Sequence, residues 1–287
     1  MESNEKNKVL PSTLYLVGTP IGNLSDITER AKKVLSEVDF VAAEDTRNSM
    51  KLLSVLGIRK ELVSYYEHNK RESGERIIAR LLAGESCALV TDAGMPAISD
   101  PGEDLVRLAA DSGISVLVVP GACAAVSALA LSALATARFA FEGFLPAKSG
   151  ERKKRLAAIK GEARTMIFYE APHKLRTTLS DMREVFGGER KISLCRELTK
   201  LNEQTLRLTL DSAVALYENK EPRGEYVLVL EGIDEAGYTV SESEEPELSP
   251  VEAVEKLMDE GLSKMDAIKA VARERGVPKS EIYKLFC

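Results

Sequence analysis

The sequence predicts an α/β protein: two α/β domains in series, followed by a small helical unit. Three observations predict it. Short β-branched runs alternate with helical patterns over the first 135 residues. From about 139 to 230 the strands continue with fewer helices between them. An acidic Ser/Glu/Pro stretch then precedes a tail whose apolar residues recur at helical spacing. The corresponding boundaries are 12–135, 136–239, a linker at 240–250, and a tail at 251–287.

In the first domain, strands are read at 14–17, 40–43, 62–66, 88–90 and 116–119. Between them, Ile27, Ala31, Val34, Leu35 and Val38 share one helical face. Ile77, Ile78, Leu81 and Leu82 share another, as do Leu105, Val106, Leu108 and Ala109. This alternation implies right-handed βαβ crossovers and a parallel sheet. Such sheets bind ligands beyond the carboxyl ends of their strands, near a switch point. Three loops of unusual composition fall at such ends: 18–25, 91–102 and 120–124. The small-residue segment that follows Pro120 (Ala122, Cys123, Ala124, Ala125, Ser127, Ala128, Ala130) reads as a buried helix packed closely on a sheet.

The second domain's strands are read at 139–145, 166–169, 192–196, 205–210 and 226–230, forming a mixed sheet. Glu242, Glu244, Glu245 and Glu247 mark the linker. In the tail, Val251, Val254, Leu257 and Met258 define one helix. Ser263 caps a second, carrying Ala267, Ile268, Val271 and Ala272, and Ser280 begins a third. The spacing is that of a helix-turn-helix. Its basic residues are diluted by acids, which favours packing or RNA docking over DNA binding.

Composition narrows the function classes. The chain is 44% hydrophobic and 29% charged, the balance of a soluble globular protein, and it has no apolar leader. A cytoplasmic location without membrane attachment is expected. Cys87, Cys123, Cys195 and Cys287 form no CxxC pair, so neither a metal site nor a disulfide framework is expected. The formal charge is −6, or −2 without the four glutamates of the linker, which argues against a general nucleic-acid binder. A basic run at Arg152, Lys153, Lys154 and Arg155 still permits local RNA contact.

The loops carry the chemistry. VGTPIGNLSDIT, from Val17 to Thr28, has the glycines and polar cap of an anion cradle, but neither GxGxxG nor GxxxxGK[ST]. A tight turn capped by Ser25 accounts for part of it. In TDAGMPAISDPG, Asp100 and Pro101 read as a helix entry, with Asp100 as cap. Asp92 to Met95 has no such local explanation. Gly94 lets a ligand approach the backbone, and Asp92 suits a ribose diol or a cation.

VGTPIGNLSDIT, AEDTR, TDAGMPAISDPG, VPGACAAVSAL, FEGFLP and FYEAPHKL occur in this order and at this spacing. Together they resemble the tetrapyrrole methylase superfamily, and more narrowly its small-subunit ribosomal RNA methyltransferase I branch. The resemblance runs from about Ser12 to Cys287. It implies S-adenosylmethionine held in a cleft between two α/β domains, and a homodimer. It also implies that the substrate is the ribose 2′-hydroxyl of a decoding-centre cytidine of 16S ribosomal RNA, within the small ribosomal subunit. The tetrapyrrole enzymes' GPG matches Pro20-Ile21-Gly22, which implies cofactor contact at Ile21 and Gly22. Their GDP loop matches Thr91 to Met95, implying contact at Asp92, Ala93, Gly94 and Met95. Their small pair after PG matches Cys123 and Ala124, and their Tyr-Met matches Tyr169-Glu170.

Methyl transfer from a sulfonium is an in-line displacement, in which the protein supplies alignment and a base. Candidates for the base are Glu44, Asp45, Glu170, His173 and Glu197, with Glu170 or His173 favoured. RNA phosphates call for cations: Arg47, Lys51, Lys70, Arg71, the run Arg152 to Arg155, Lys174 and Arg176. Tyr65, Tyr66 and Phe168 are candidates for stacking on a base, with core packing favoured for Phe168. Two other readings stand beside this one. A tetrapyrrole C-methyltransferase has the same fold, but a small macrocycle needs neither basic cluster nor tail. A non-enzymatic nucleic-acid-binding regulator would use the tail and leave the donor loops unexplained.

Overall fold

The first strand, Thr13–Val17 (β1), sends alternate side chains into two separate cores. Leu14 joins Phe40, Leu89 and Ile77 on one face, while Tyr15 and Val17 join Val41, Ala88 and Leu35 on the other. A strand buried on both faces needs helices on both, which is the signature of a parallel sheet. The computed structural model describes residues 8–233, 249–259, 262–274 and 277–286. The remaining first-sheet strands are Phe40–Ala43 (β2), Glu61–Ser64 (β3), Cys87–Val90 (β4) and Ser115–Val119 (β5). All pair in parallel, in the order β3-β2-β4-β1-β5.

The helices between them are Glu29–Glu37 (α1), Thr46–Val55 (α2), Lys70–Leu82 (α3) and Gly102–Asp111 (α4). Chain direction across the sheet decides their face. The β1-to-β2 and β2-to-β3 crossovers run one way, and α1 and α2 pack on Val17, Val41 and Val90. The β3-to-β4 and β4-to-β5 crossovers run back, and α3 and α4 pack on the opposite face. The neighbouring strands β4 and β1 therefore feed helices on opposite faces, and the crevice opens at their carboxyl ends.

The expected strands are present, with shifts at their ends. The third ends at Ser64, two residues early, and Tyr65 turns into the core with its hydroxyl donating to the Pro101 carbonyl, 3.1 Å away. Ser25 does not cap the first helix. It sits in a 3₁₀ turn, Leu24–Asp26, entered through the Asn23 side chain, and Thr28 caps α1 by accepting from Ala31 N–H at 3.0 Å. Asp100 does hold the α4 entry: its Oδ1 accepts from the N–H groups of Gly102 (2.7 Å) and Ala97 (3.0 Å).

The second sheet has strands Phe139–Phe144 (β6), Thr165–Glu170 (β7), Lys191–Arg196 (β8), Gln204–Thr209 (β9) and Tyr226–Leu230 (β10). Their order is β6-β7-β10-β8-β9, with β6 and β7 parallel and the other pairs antiparallel. One face carries Ser149–Ala158 (α6), Pro172–Phe186 (α7) and Leu210–Asn219 (α8), closing over Met166, Phe168, Leu194 and Leu228. The other face receives the small-residue helix Ala124–Leu131 (α5), which follows β5 of the first sheet. Ala125, Ala128 and Leu129 pack on Ile167, Cys195, Val227 and Val229 of the second sheet. The helix is close-packed as expected, but only along this stripe: Val126 and Leu131 on its other side are exposed.

The chain divides into two compact units between Ile233 and Asp234. Both sheets belong to the first, so the expected boundary at 135/136 separates two sheets of one unit. The acidic linker lies outside the described residues except for Ser249 and Pro250. The second unit holds Pro250–Asp259 (α9), Lys264–Glu274 (α10) and Lys279–Tyr283 (α11), around Val254, Ile268, Val271 and Ile282. Ser249 and Glu252 form a reciprocal capping box, with Ser249 N–H donating to Glu252 at 2.7 Å. Ser263 caps α10 as expected, accepting from Asp266 N–H at 3.3 Å. Among the described residues no helix is long and apolar enough to cross a membrane.

Candidate functional site

Three glycines bring the carboxyl ends of β4, β1 and β5 together. Gly18 and Gly121 cross backbone to backbone: a Cβ added at Gly18 would lie 2.7 Å from Gly121 Cα, and one added at Gly121 would lie 2.9 Å from three Gly18 backbone atoms. Gly94, at φ +85°, exchanges both backbone hydrogen bonds with Thr19, at 2.9 and 3.1 Å. A side chain at these crossings would push the loops apart. The signal was present in VGTP and VPGA, but nothing local says that two distant glycines touch.

Beyond this crossing lies a cavity of about 540 Å³, within the usual range of roughly 300–1,000 Å³ for a small-molecule site. Ile21, Asp92, Ala93, Gly94, Met95, Cys123 and Ala124 line one side. Tyr169, Glu170, Leu198, Lys200 and Tyr226 line the other. Most of the residues expected at the cofactor line this one cavity. Gly22 is the exception: it is absent from the cavity wall, and a side chain there would collide with Lys200. Asp92 is exposed, and its Oδ2 accepts from Asn48 Nδ2 at 3.3 Å. Glu44, on the same wall, accepts from the Thr91 hydroxyl at 2.8 Å. Asn48 and Thr91 were not legible as partners, because each pair spans loops more than forty residues apart.

The two favoured base candidates part company. Glu170 is 3% exposed and lines the cavity. Its carboxyl accepts from Ala171 N–H at 2.9 Å and from the Thr178 hydroxyl at 2.6 Å, which fixes its orientation. His173 is exposed on the first turn of α7 and does not line the cavity. Asp45 is committed elsewhere. It caps α2 and takes the Arg47 guanidinium at 3.0 and 2.7 Å, and these bonds hold its carboxyl at about 2. Tyr169 stands between Phe141 and Phe144 in edge-to-face contact, and burial pushes its phenol up.

The basic run does not form one patch. Four successive residues on a helix spread around its circumference. Arg152 turns inward, 4% exposed, and its guanidinium meets Asp181 at 2.7 Å and the Pro146 and Ala147 carbonyls. Buried between α6 and α7, it is lost to any RNA surface. Lys153 pairs with Glu184 and Arg155 with Glu142, each at 2.6 Å, while Lys154 is exposed. Arg47 and Lys51 are exposed at the carboxyl side of the first sheet. Lys174 is half-buried, and Arg176 is exposed with its Nε donating to the Tyr217 carbonyl at 2.8 Å. Lys70 bridges Glu67 and Asp104. Tyr65 and Phe168 are core residues, whereas Tyr66 remains exposed beside His68.

Comparison with known proteins agrees with this architecture. The profile of the Tetrapyrrole (Corrin/Porphyrin) Methylases matches residues 13–214. A protein of Halalkalibacterium halodurans named ribosomal RNA small subunit methyltransferase I is 49% identical over 280 residues, 96% of this chain and 94% of its own. Proteins of the same name from Pseudomonas aeruginosa and Bacillus subtilis are 48% and 45% identical, over 95% of this chain in each case and 95% and 93% of their own. Among solved structures, a uroporphyrin-III C-methyltransferase of Thermus thermophilus superposes with a TM-score of 0.54 at 22% identity, over 77% of this chain and 94% of that one. A cobalt precorrin-4 methyltransferase gives 0.56 at 15% identity, over 77% and 95%. These structures share the fold, and the curated relatives share the sequence along nearly its whole length. The chain belongs to the tetrapyrrole methylase family and, within it, to the ribosomal RNA small subunit methyltransferase I family.

Proposed function

We propose that this protein transfers a methyl group from S-adenosylmethionine to the ribose 2′-hydroxyl of a decoding-centre cytidine in 16S ribosomal RNA. It acts in the cytoplasm as a homodimer, on the small ribosomal subunit. The observation that carries the reading is the cavity beyond β4, β1 and β5, walled by the second sheet, in a chain 49% identical to a protein named for small-subunit ribosomal RNA methylation. A uroporphyrin-III C-methyltransferase of Thermus thermophilus that superposes with a TM-score of 0.55 is known in complex with S-adenosylhomocysteine.

The residues fit such a cofactor. Asp92, Ala93, Gly94 and Met95 line the cavity, on a loop that the left-handed Gly94 pins to Thr19. Glu44, Asp92, Asp100, Glu170 and Glu225 face the cavity against a single Lys200, a balance that suits a cationic donor. When bound, the cofactor supplies a methyl carbon made electrophilic by its sulfonium. Asp92 to Met95, Ile21, Cys123 and Ala124 would hold it, and Tyr169 would close the far wall.

Glu170 is the base the geometry favours. It is fixed by two donors, lies on the wall facing the cofactor loops, and would take the hydroxyl proton as the oxygen–methyl bond forms and the methyl–sulfur bond breaks, the sulfur leaving as a neutral thioether. The substitution Glu170→Gln is expected to lower kcat by about 10²-fold, the low end of the range for a positioned base. Both carboxyl oxygens already accept a hydrogen bond, which weakens them as proton acceptors. Cofactor affinity should stay within a few-fold in calorimetry. An unchanged single-turnover rate would remove Glu170 from the mechanism.

The curated relatives argue against a tetrapyrrole substrate: those compared are 45–49% identical and named for ribosomal RNA, whereas the two tetrapyrrole enzymes compared match at 15% and 22%. Mapping ribose methylation across ribosomal RNA from a strain lacking the protein tests the proposal. One 2′-O-methyl group should vanish from the decoding centre and return on complementation. An unaltered methylation pattern would reject it.

A further inference from the structure

Lys200 is the only cation lining the cavity among the described residues, where five carboxyl groups also face the space. Its Nζ donates to Glu197 Oε1 at 2.9 Å and to Glu225 Oε2 at 2.7 Å. The two partners differ. Glu197 is 20% exposed and anchored, its Oε1 also accepting from Glu225 N–H at 3.0 Å. Glu225 is 80% exposed, so only one carboxyl holds Lys200 from the solvent side.

The backbone that presents Lys200 is strained. Glu197 and Thr199 take φ of +52° and +65°, conformations that cost a residue with a side chain roughly 1–3 kcal/mol. Two of the buried side-chain atoms without a partner, Arg196 Nε and Thr199 Oγ1, lie in the same turn. The Lys200 stem packs against Gly22 of the first loop, which ties the turn to the cofactor side. Packing alone gives no reason to hold a lysine at such cost between two glutamates.

The chemistry of the substrate gives one. A ribose 2′-hydroxyl sits on the carbon next to the one bearing the 3′-phosphate. Seating that hydroxyl in the cavity brings a phosphate with it, into a space dominated by acids. We infer that Lys200 is the substrate-phosphate contact of this cavity, and that the exposed Glu225 carboxyl occupies the phosphate's place until RNA arrives. This rests on the proposed ribose methylation.

Small ribosomal subunits lacking the methyl group serve as the probe, with binding and single-turnover transfer measured over a salt series. Lys200→Met is expected to raise KM and Kd for the subunit about tenfold, with kcat within about twofold and cofactor affinity unchanged. The slope of log affinity against log salt should fall by about 0.7, the loss of one single-strand phosphate contact. Lys200→Arg should recover most of the affinity. Glu225→Gln should tighten RNA binding, a sign that no folding defect produces. An unchanged KM and salt slope in Lys200→Met would overturn the inference, as would a loss confined to cofactor binding, which would assign Lys200 to the cofactor's carboxylate. Failure of the wild-type protein to transfer a methyl group would instead strike the proposed function, since the binding series reads Lys200 independently.

Discussion

Gly121→Ala is expected to weaken S-adenosylmethionine binding by 10²- to 10³-fold, equivalent to about 2.7–4.1 kcal/mol. The added Cβ would meet three Gly18 backbone atoms at 2.9 Å, and backbone cannot rotate away as a side-chain tip can. The loops after β1 and β5 must then separate. Gly18 leads directly into Thr19, whose two backbone bonds to Gly94 hold the third loop, so the displacement reaches Asp92 to Met95. Overpacking of this kind costs roughly 1–3 kcal/mol in stability, so the fold should survive. Calorimetry on the folded variant reads the affinity. Gly150→Ala, at a helical position with nothing within 4 Å of the added atom, is the control and should bind normally. Normal binding by both variants would mean that the crossing does not shape the cofactor site.

The second large effect is on stability. Asp181→Ala leaves the Arg152 guanidinium between α6 and α7 without its carboxylate, in a place where the two side chains are only 5% and 11% exposed. Removing one partner of a buried pair costs roughly 3–5 kcal/mol, because the other charge stays buried uncompensated. Denaturant unfolding should show a loss of this size. Replacing both residues, Arg152→Met with Asp181→Leu, should recover much of it. RNA affinity of the double variant should match wild type if Arg152 has no RNA contact. A drop in RNA affinity without a drop in stability would restore Arg152 to the RNA surface.

Arg152 shows where sequence reading stops. KKR runs look like surface because charge repeats in the chain, but a helix points each residue about 100° from the last. Only the partner, Asp181 on another helix, says which one turns inward. Strands and their order of appearance were legible because β-branched runs carry a local signal. Thus β2 and β10 have the expected limits, and the other strands lie within two residues of theirs. Capping was legible where one residue suffices, as at Ser263; at α4 the cap position is Pro101, and the expected Asp100 holds the entry from one residue earlier. It failed at Ser25, where Asn23, Ser25 and Thr28 all offer side chains and the geometry of the 3₁₀ turn decides. The cofactor loops were recognisable as a set, since each has odd composition at a strand end. Lys200 was not: that segment offered Glu197 as a candidate base, and only the fold, with its left-handed backbone at Glu197 and Thr199, brings Lys200 to the cavity.

Helix α5 has one end in each half of the problem. Its first turn, at Cys123 and Ala124, is cavity wall, and its body lies on β7, β8 and β10, which carry Tyr169 near the end of β7 and Tyr226 at the start of β10. A ligand that settles against Cys123 therefore leans on α5, which rests on the strands that carry Tyr169 and Tyr226. Any coupling between the two binding events that passes through α5 is reciprocal by thermodynamic linkage. Whatever factor cofactor occupancy lends to RNA affinity, RNA must return to cofactor affinity. Under the proposed function, α5 is the element in contact with both sides of the cavity, and a change of cofactor affinity on adding the ribosomal subunit would measure what it transmits.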